Sequence, residues 1–185
     1  MATISFTHDV TGNLQQAKGS DSRLNVSSRS DSRSYYNSRD QQEAYSLVWE
    51  DADSATGDYI LYWKNTDTQG RALVIDSVGL NSSALAQFKL ATVTGTASGV
   101  TVLPSCLNRS APRVASASCV EAAGTAITGL TEEVVIDHAG VTAGGHEEFR
   151  LDDRLRIGQG GAIAIECHFT ATTAKTYGII YGYYE

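Results

Sequence analysis

"DYILYWKN", residues 58–65, is the stretch whose reading decides the fold. Tyr59, Leu61 and Trp63 occupy alternate positions, with Ile60 and Tyr62 between them. Successive strand side chains point to opposite faces, so this spacing predicts a strand with Tyr59, Leu61 and Trp63 on one face and Ile60 and Tyr62 on the other. The run before it, "AYSLVWE" (44–50), is set off by the turn-rich "DADSATG" (51–57). Outward from this pair the same texture repeats. "RALVIDSVGL" (71–80), "LAQFKLATVTG" (85–95), "VTVLP" (100–104), "VASASCVE" (114–121) and "EVVIDHAGV" (133–141) are short runs bounded by Gly, Asn, Asp or Ser. "EEFRLD" (147–152), "RLRIG" (154–158), "GAIAIECHFTA" (161–171) and "TYGIIYGYY" (176–184) complete the series. Enrichment in Val, Ile, Thr and Tyr between turn residues is an all-β signature.

"NSSALAQFKLA" (81–91) admits a short helix capped by Asn81 or Ser82, although the following "TVTGT" favours an extended reading. The long link between the strands near 100 and 133 suggests strands that cross between sheets. Residues 41–185 are therefore expected to form a jelly-roll-like antiparallel β-sandwich, with an up-and-down barrel as the alternative.

Residues 1–40 read differently. In "SDSRLNVSSRSDSRSYYNSRD" (20–40), eight of 21 residues are serine, and Arg23, Arg29, Arg33 and Arg39 are interspersed with Asp21, Asp31 and Asp40. Such a composition buries too little apolar surface to offset the entropy of ordering it, which predicts an extended arm that is disordered on its own. An arm folded over its own body is the alternative.

The chain has 185 residues and a formal charge of −7, unevenly spread. Residues 1–40 carry five basic and four acidic groups, and residues 41–185 nine and 17, so the arm is +1 and the body −8. An acidic body is unsuited to a phosphate backbone, and the arm's aspartates cancel the charge that RNA binding needs, so no nucleic-acid partner is expected. "MATISFTHDV" (1–10) has neither a basic nor an apolar signal region, and no 18-residue apolar run exists, so neither export nor a membrane partner is expected.

The chemical candidates are few. Asp51, Asp53 and Asp58 resemble a calcium loop, but Thr56 and Tyr62 stand where such a loop needs Gly and Glu. His138, His146 and His168 form no metal-binding pattern, and Cys167 and His168, being adjacent on a strand, point to opposite faces. Glu147, Glu148, Asp152 and Asp153 read as polar rim. Cys106, Cys119 and Cys167 read as buried free thiols, a Cys106–Cys119 bridge being the alternative. No catalytic residue, cofactor or metal is expected. The last strand places Tyr177, Ile179, Tyr181 and Tyr183 on one face against Gly178, Ile180, Gly182 and Tyr184, which suits a docking surface or an inner strand.

At "RSDSRSYYNSRDQQEAYSLVWED" (29–51), through "GDYILYWKNT" (57–66) to "RLRIGQGGAIAIECHFTA" (154–171), the chain resembles virion proteins of tailed bacteriophages, in particular jelly-roll decoration (cement) proteins of the capsid. The resemblance implies a structural protein on the outer capsid surface, made in the bacterial cytoplasm. Its implied partners are the major capsid protein and further copies of itself, with a trimer as the preferred homo-oligomer. Arg29, Arg33, Tyr35, Tyr36, Asn37 and Arg39 would be its contacts, with Arg23, Tyr181 and Tyr183 added from the residue pattern. A fibre or baseplate module binding a host carbohydrate is the alternative. It would need an exposed aromatic platform from Trp49, Trp63, Tyr35 or Tyr36, and the two tryptophans read more readily as core.

Overall fold

The structure is a computed structural model that describes residues 43–185 other than Ala111, together with Ser38 and four short strands before it. The chain divides into two compact units, residues 1–32 and 33–185. In the first, β1 (Ser5–Thr7) pairs antiparallel with β2 (Leu14–Gln16), and β3 (Gly19–Ser20) with β4 (Arg23–Leu24). Arg29, Arg33, Tyr35, Tyr36, Asn37 and Arg39 lie outside the described residues, and with them the expectation of an extended arm.

The second unit is built from β5 (Ala44–Ala55), β6 (Asp58–Asn65), β7 (Leu73–Ser82), β8 (Ala86–Ser98), β9 (Val100–Val102), β10 (Ser105–Cys106), β11 (Ala117–Glu121), β12 (Thr128–Val141), β13 (His146–Ile157), β14 (Ala162–Phe169) and β15 (Thr173–Tyr184). These form two antiparallel sheets, one ordered β10-β5-β15-β7-β13 and the other β12-β8-β14-β6-β11-β9. Both sheets have open edges, so the unit is a sandwich and not a closed barrel. The interior holds Trp49, Trp63, Tyr45, Phe88, Leu47, Leu61, Ile75, Leu80 and Leu90, each fully buried. Burying each such side chain contributes roughly 1.5–3 kcal/mol, so this single core dominates stability.

Residues 81–91 form no helix: Asn81–Ser82 close β7, Ser83 and Ala84 bend, and Ala86 opens β8. "EEFRLD" and "RLRIG" are one strand, not two. Arg150 pairs with Ser77 and Leu155 with Ile75, so residues 151–154 bulge from the edge, and Asp152 takes a positive φ of 46° to allow it. In β6 the expected alternation is also broken. Leu61 pairs with Ile165 but Tyr59 with Glu166, leaving Ile60 as the extra residue of a bulge. Ile60 therefore joins Leu61 and Trp63 in the core, and Tyr59 moves outward beside Tyr62.

That outward group is itself covered. Tyr62, Val93, Val120, Ala122, Ile127, Ala162 and Ala164 form a second apolar cluster, packed against by Ala97 from the far end of β8 and Leu130 from β12. Gly95 (φ 106°) and Gly129 (φ 80°) let these two strand ends touch, since a Cβ on either would strike the other strand's backbone oxygen.

Candidate interaction surfaces

The root of the N-terminal segment is fixed by a charged clasp. Glu43, almost fully buried, accepts from Arg71 through one oxygen and from Arg113 Nη1 at 2.6 Å through the other. The Arg71 guanidinium also grips Asp67, Nε at 2.9 Å and Nη2 at 2.6 Å, while the Gln69 and Arg71 backbone N–H groups donate to the same carboxylate at 2.7 and 3.1 Å. Arg71 thus holds the buried Asp67 carboxyl down at about 2. Asn65 completes the layer, its amide donating to the carbonyls of Arg71 and Ile157 at 2.9 Å each. Arg71 lies 5.6 Å from the ring centre of Tyr184, whose hydroxyl donates to Ser116 O at 2.7 Å. Burial, with the nearby Glu43 carboxylate, pushes the Tyr45 hydroxyl up to about 12. Chain entry, chain end and the 103–116 segment are tied at one end of the sandwich.

The outer face of the first sheet carries the C-terminal tyrosine stripe. Ile179 sits between Val48 and Gly79, Tyr177 between Glu50 and Asn81, and Tyr181 between Ser46 and Ser77. Val48 and Tyr177 are exposed at 62% and 45%, and Tyr181 is half-buried. Tyr183 differs: it shares the stripe but is fully buried with Ala44 and Val74, so it offers no free ring to a partner. The glycines that alternate with the stripe face the interior. A Cβ on Gly178 would overlap the Gly79 carbonyl oxygen and the Trp49 indole, so Gly178 makes room for Trp49 rather than for a docking chain.

The chemical candidates are dispersed. Asp51 lies inside β5, where its carboxylate accepts from Ser54 Oγ at 2.6 Å and Gly124 N at 2.8 Å, so it is committed within the fold. Asp58 opens β6 and accepts from Ala55 N at 2.8 Å, capping the turn. No group of three or more His, Cys, Asp or Glu side chains gathers among the described residues. His146 faces Asn81 at 3.2 Å, and His138 is exposed on β12. Cys167 and His168 do lie on opposite faces: the thiol is buried in the core and the imidazole pairs outward with Glu166 at 2.8 Å. All three thiols are buried, and none is bridged to another. Trp49 and Trp63, at 1% and 0% exposure, form no ring platform for a sugar.

Two surfaces escaped sequence reasoning, one at each lateral edge. Residues 103–115 link β10 to its flanking segments beside β9 and expose Leu107 (38%), with Leu103 (73%) and Val114 (87%) lining a cleft of 260 Å³. Both prolines of the chain, Pro104 and Pro112, and two arginines, Arg109 and Arg113, lie in this segment, which contains no acidic residue. That co-location was a legible signal. At the opposite edge β12 exposes Val134 (62%) and Val135 (37%) among Glu132, Glu133 and Asp137, which no alternation rule would place outside. No family model, curated protein or solved structure matches the chain.

Proposed function

We propose that this chain is a virion structural protein, a capsid decoration protein of the tailed-phage type. In this reading it reinforces a shell through contacts of its sandwich and N-terminal arm with the major capsid protein and with further copies of itself. The observation that carries the reading is strand order. Taking only the eight strands of eight residues or more (β5 to β8 and β12 to β15), one sheet runs first, eighth, third, sixth, and the other fifth, fourth, seventh, second. This order supports a jelly-roll reading, an architecture used by viral capsid and lectin domains. Between those two uses, the burial of Trp49 and Trp63 weighs against a sugar-binding face. Fold alone does not fix function, and the virion location rests on the resemblance of residues 29–51 and 154–171 to phage decoration proteins.

The test is a mass-spectrometric copy count on purified particles of the virus that encodes the chain. Hundreds of copies per particle are expected. A count of tens or fewer points to a fibre or baseplate, and absence from the particle removes the reading altogether.

A further inference from the structure

We propose that the two lateral edges of the sandwich bind each other in successive copies of this chain, head to tail, with the 103–115 loop of one copy seated on the outer side of β12 in the next. This deepens the self-association in the reading above, and rests on that reading only for its setting. The loop and β12 stand at opposite sides of the unit, because β9 and β10 end one side of their sheets and β12 and β13 end the other. A patch that complements a different patch across the same molecule gives a heterologous contact, which closes into a ring when the rotation allows and otherwise extends.

The two surfaces match in chemistry. The loop offers Leu103 and Val114 at its cleft, and β12 offers Val134, which shares its face of the strand with Asp137 while Val135 points to the other face. Beside the loop's apolar residues stands Arg109, with no acid in the segment and with Arg113 already engaged by Glu43, whereas beside Val134 stand Glu133 and Asp137. Residues 41–185 are net −8, so two copies approaching by any acidic face repel, and the acid-free loop is a surface that attracts. Glu132 is already committed to Lys89 at 2.6 Å, which leaves Glu133 and Asp137 facing outward on the same strand. The loop is preorganised, since Pro104 and Pro112 fix two φ angles, Leu107 N donates to Ala44 O at 2.9 Å and Arg113 is held by Glu43. β12 is unsuited to edge-to-edge strand addition, because its register slips at Glu133 and again at Ile136, so side chains must carry the contact.

The experiment uses the full chain and native mass spectrometry with sedimentation. One variant breaks the loop (Leu103→Asp with Val114→Asp) and the other breaks the edge (Val134→Asp). The wild type is expected to associate and each variant to be monomeric, with melting curves like the wild type because all three positions are largely exposed. Mixed in equal amounts, the two variants retain one good edge and one good loop between them, and form a one-to-one dimer that does not grow. Arg109→Ser and Glu133→Gln are milder variants that weaken association without touching the apolar contacts, and each lowers its salt dependence. A wild type that stays monomeric at every concentration overturns the interface. So do variants that associate as the wild type does, or a mixture that yields no dimer. A chain that associates this way yet is missing from purified particles keeps the interface and removes the virion reading instead.

Discussion

Gly178→Ala probes a tightly packed contact in the core of the sandwich. Gly178 lies in β15 opposite Trp49 of β5 and Leu80 of β7, facing the core. Its φ lies outside the left-handed region, so alanine is tolerated by the backbone and gains about 0.4–1 kcal/mol by restricting the unfolded chain. Against that, the added Cβ overlaps the Gly79 carbonyl oxygen and the Trp49 Cη2, and lies 2.5 Å from Trp49 Cζ2. The carbonyl belongs to a paired strand and Trp49 is 1% exposed, so neither yields easily. Overpacking of this kind costs about 1–3 kcal/mol, and with a backbone atom among the clashes the upper end applies. The net expectation is a loss of about 2 kcal/mol, or several degrees in melting temperature. Urea unfolding followed by circular dichroism measures it, and an unchanged slope would show that the native state is otherwise intact. Trp49→Phe removes the atoms Cζ2 and Cη2, so it should relieve part of the clash. The double variant is then less destabilised than the sum of the singles by on the order of 1 kcal/mol. A neutral or stabilising Gly178→Ala, or strict additivity with Trp49→Phe, refutes the placement of Trp49 over Gly178.

Acid should unlock the clasp. The folded Asp67 carboxyl lies at about 2 against an ordinary 3.8, so its contribution, on the order of 2 kcal/mol, is present above about pH 4 and lost as pH falls through 2; urea midpoints taken across that range should flatten in Asp67→Asn. Burial pushes the Cys167 thiol up to about 12 and raises Cys119 as well, so iodoacetamide near neutral pH should spare both in the folded chain and label both in urea; fast native labelling would contradict their burial. A chain truncated to 41–185 keeps Glu43 and the whole clasp, and should retain a β-rich spectrum and cooperative melting; if 33–185 folds and 41–185 does not, residues 33–40 belong to the core. On a particle that holds the arm, trypsin cleavage at Arg23, Arg29, Arg33 and Arg39 should be slower than in the free chain, and equal rates in both remove the arm from the contact.

The sandwich was legible because period-2 alternation survives wherever one face is buried, as at Leu47 and Trp49 in β5, where Val48 and Glu50 are exposed. Bulges were not legible, since a single extra residue leaves composition unchanged. Ile60 reverses the face of Tyr59, and residues 151–154 join two expected strands into one. The roles of the C-terminal glycines and tyrosines were read only in part. Alternation places Tyr183 with Tyr177 and Tyr181, but whether a stripe position is open depends on what packs at its end, and Tyr183 is fully buried beside Ala44 and Val74. Gly178 reads equally well as an invitation to a partner or as a hole for an indole, and only the cross-strand register puts Trp49 above it. The clasp escaped for a related reason: Glu43, Asp67, Arg71 and Arg113 are far apart in sequence, and no short spacing announces them.

The clasp also joins two features that the sequence keeps separate. Arg113 belongs to the acid-free loop at one lateral edge, yet its guanidinium is spent on Glu43, the residue from which the N-terminal segment departs. Glu43 is further fixed by its own carbonyl, which accepts from Tyr184 N at 3.0 Å, so strand pairing and side-chain charge hold the same point. Removing the Glu43 charge leaves Arg71 with Asp67 as its remaining carboxylate, but leaves Arg113 without its partner and frees the loop it anchors. The root of residues 1–42 and the proposed lateral contact therefore move together. A substitution at Glu43 should alter association between copies even though Glu43 is almost wholly buried and touches neither apolar edge.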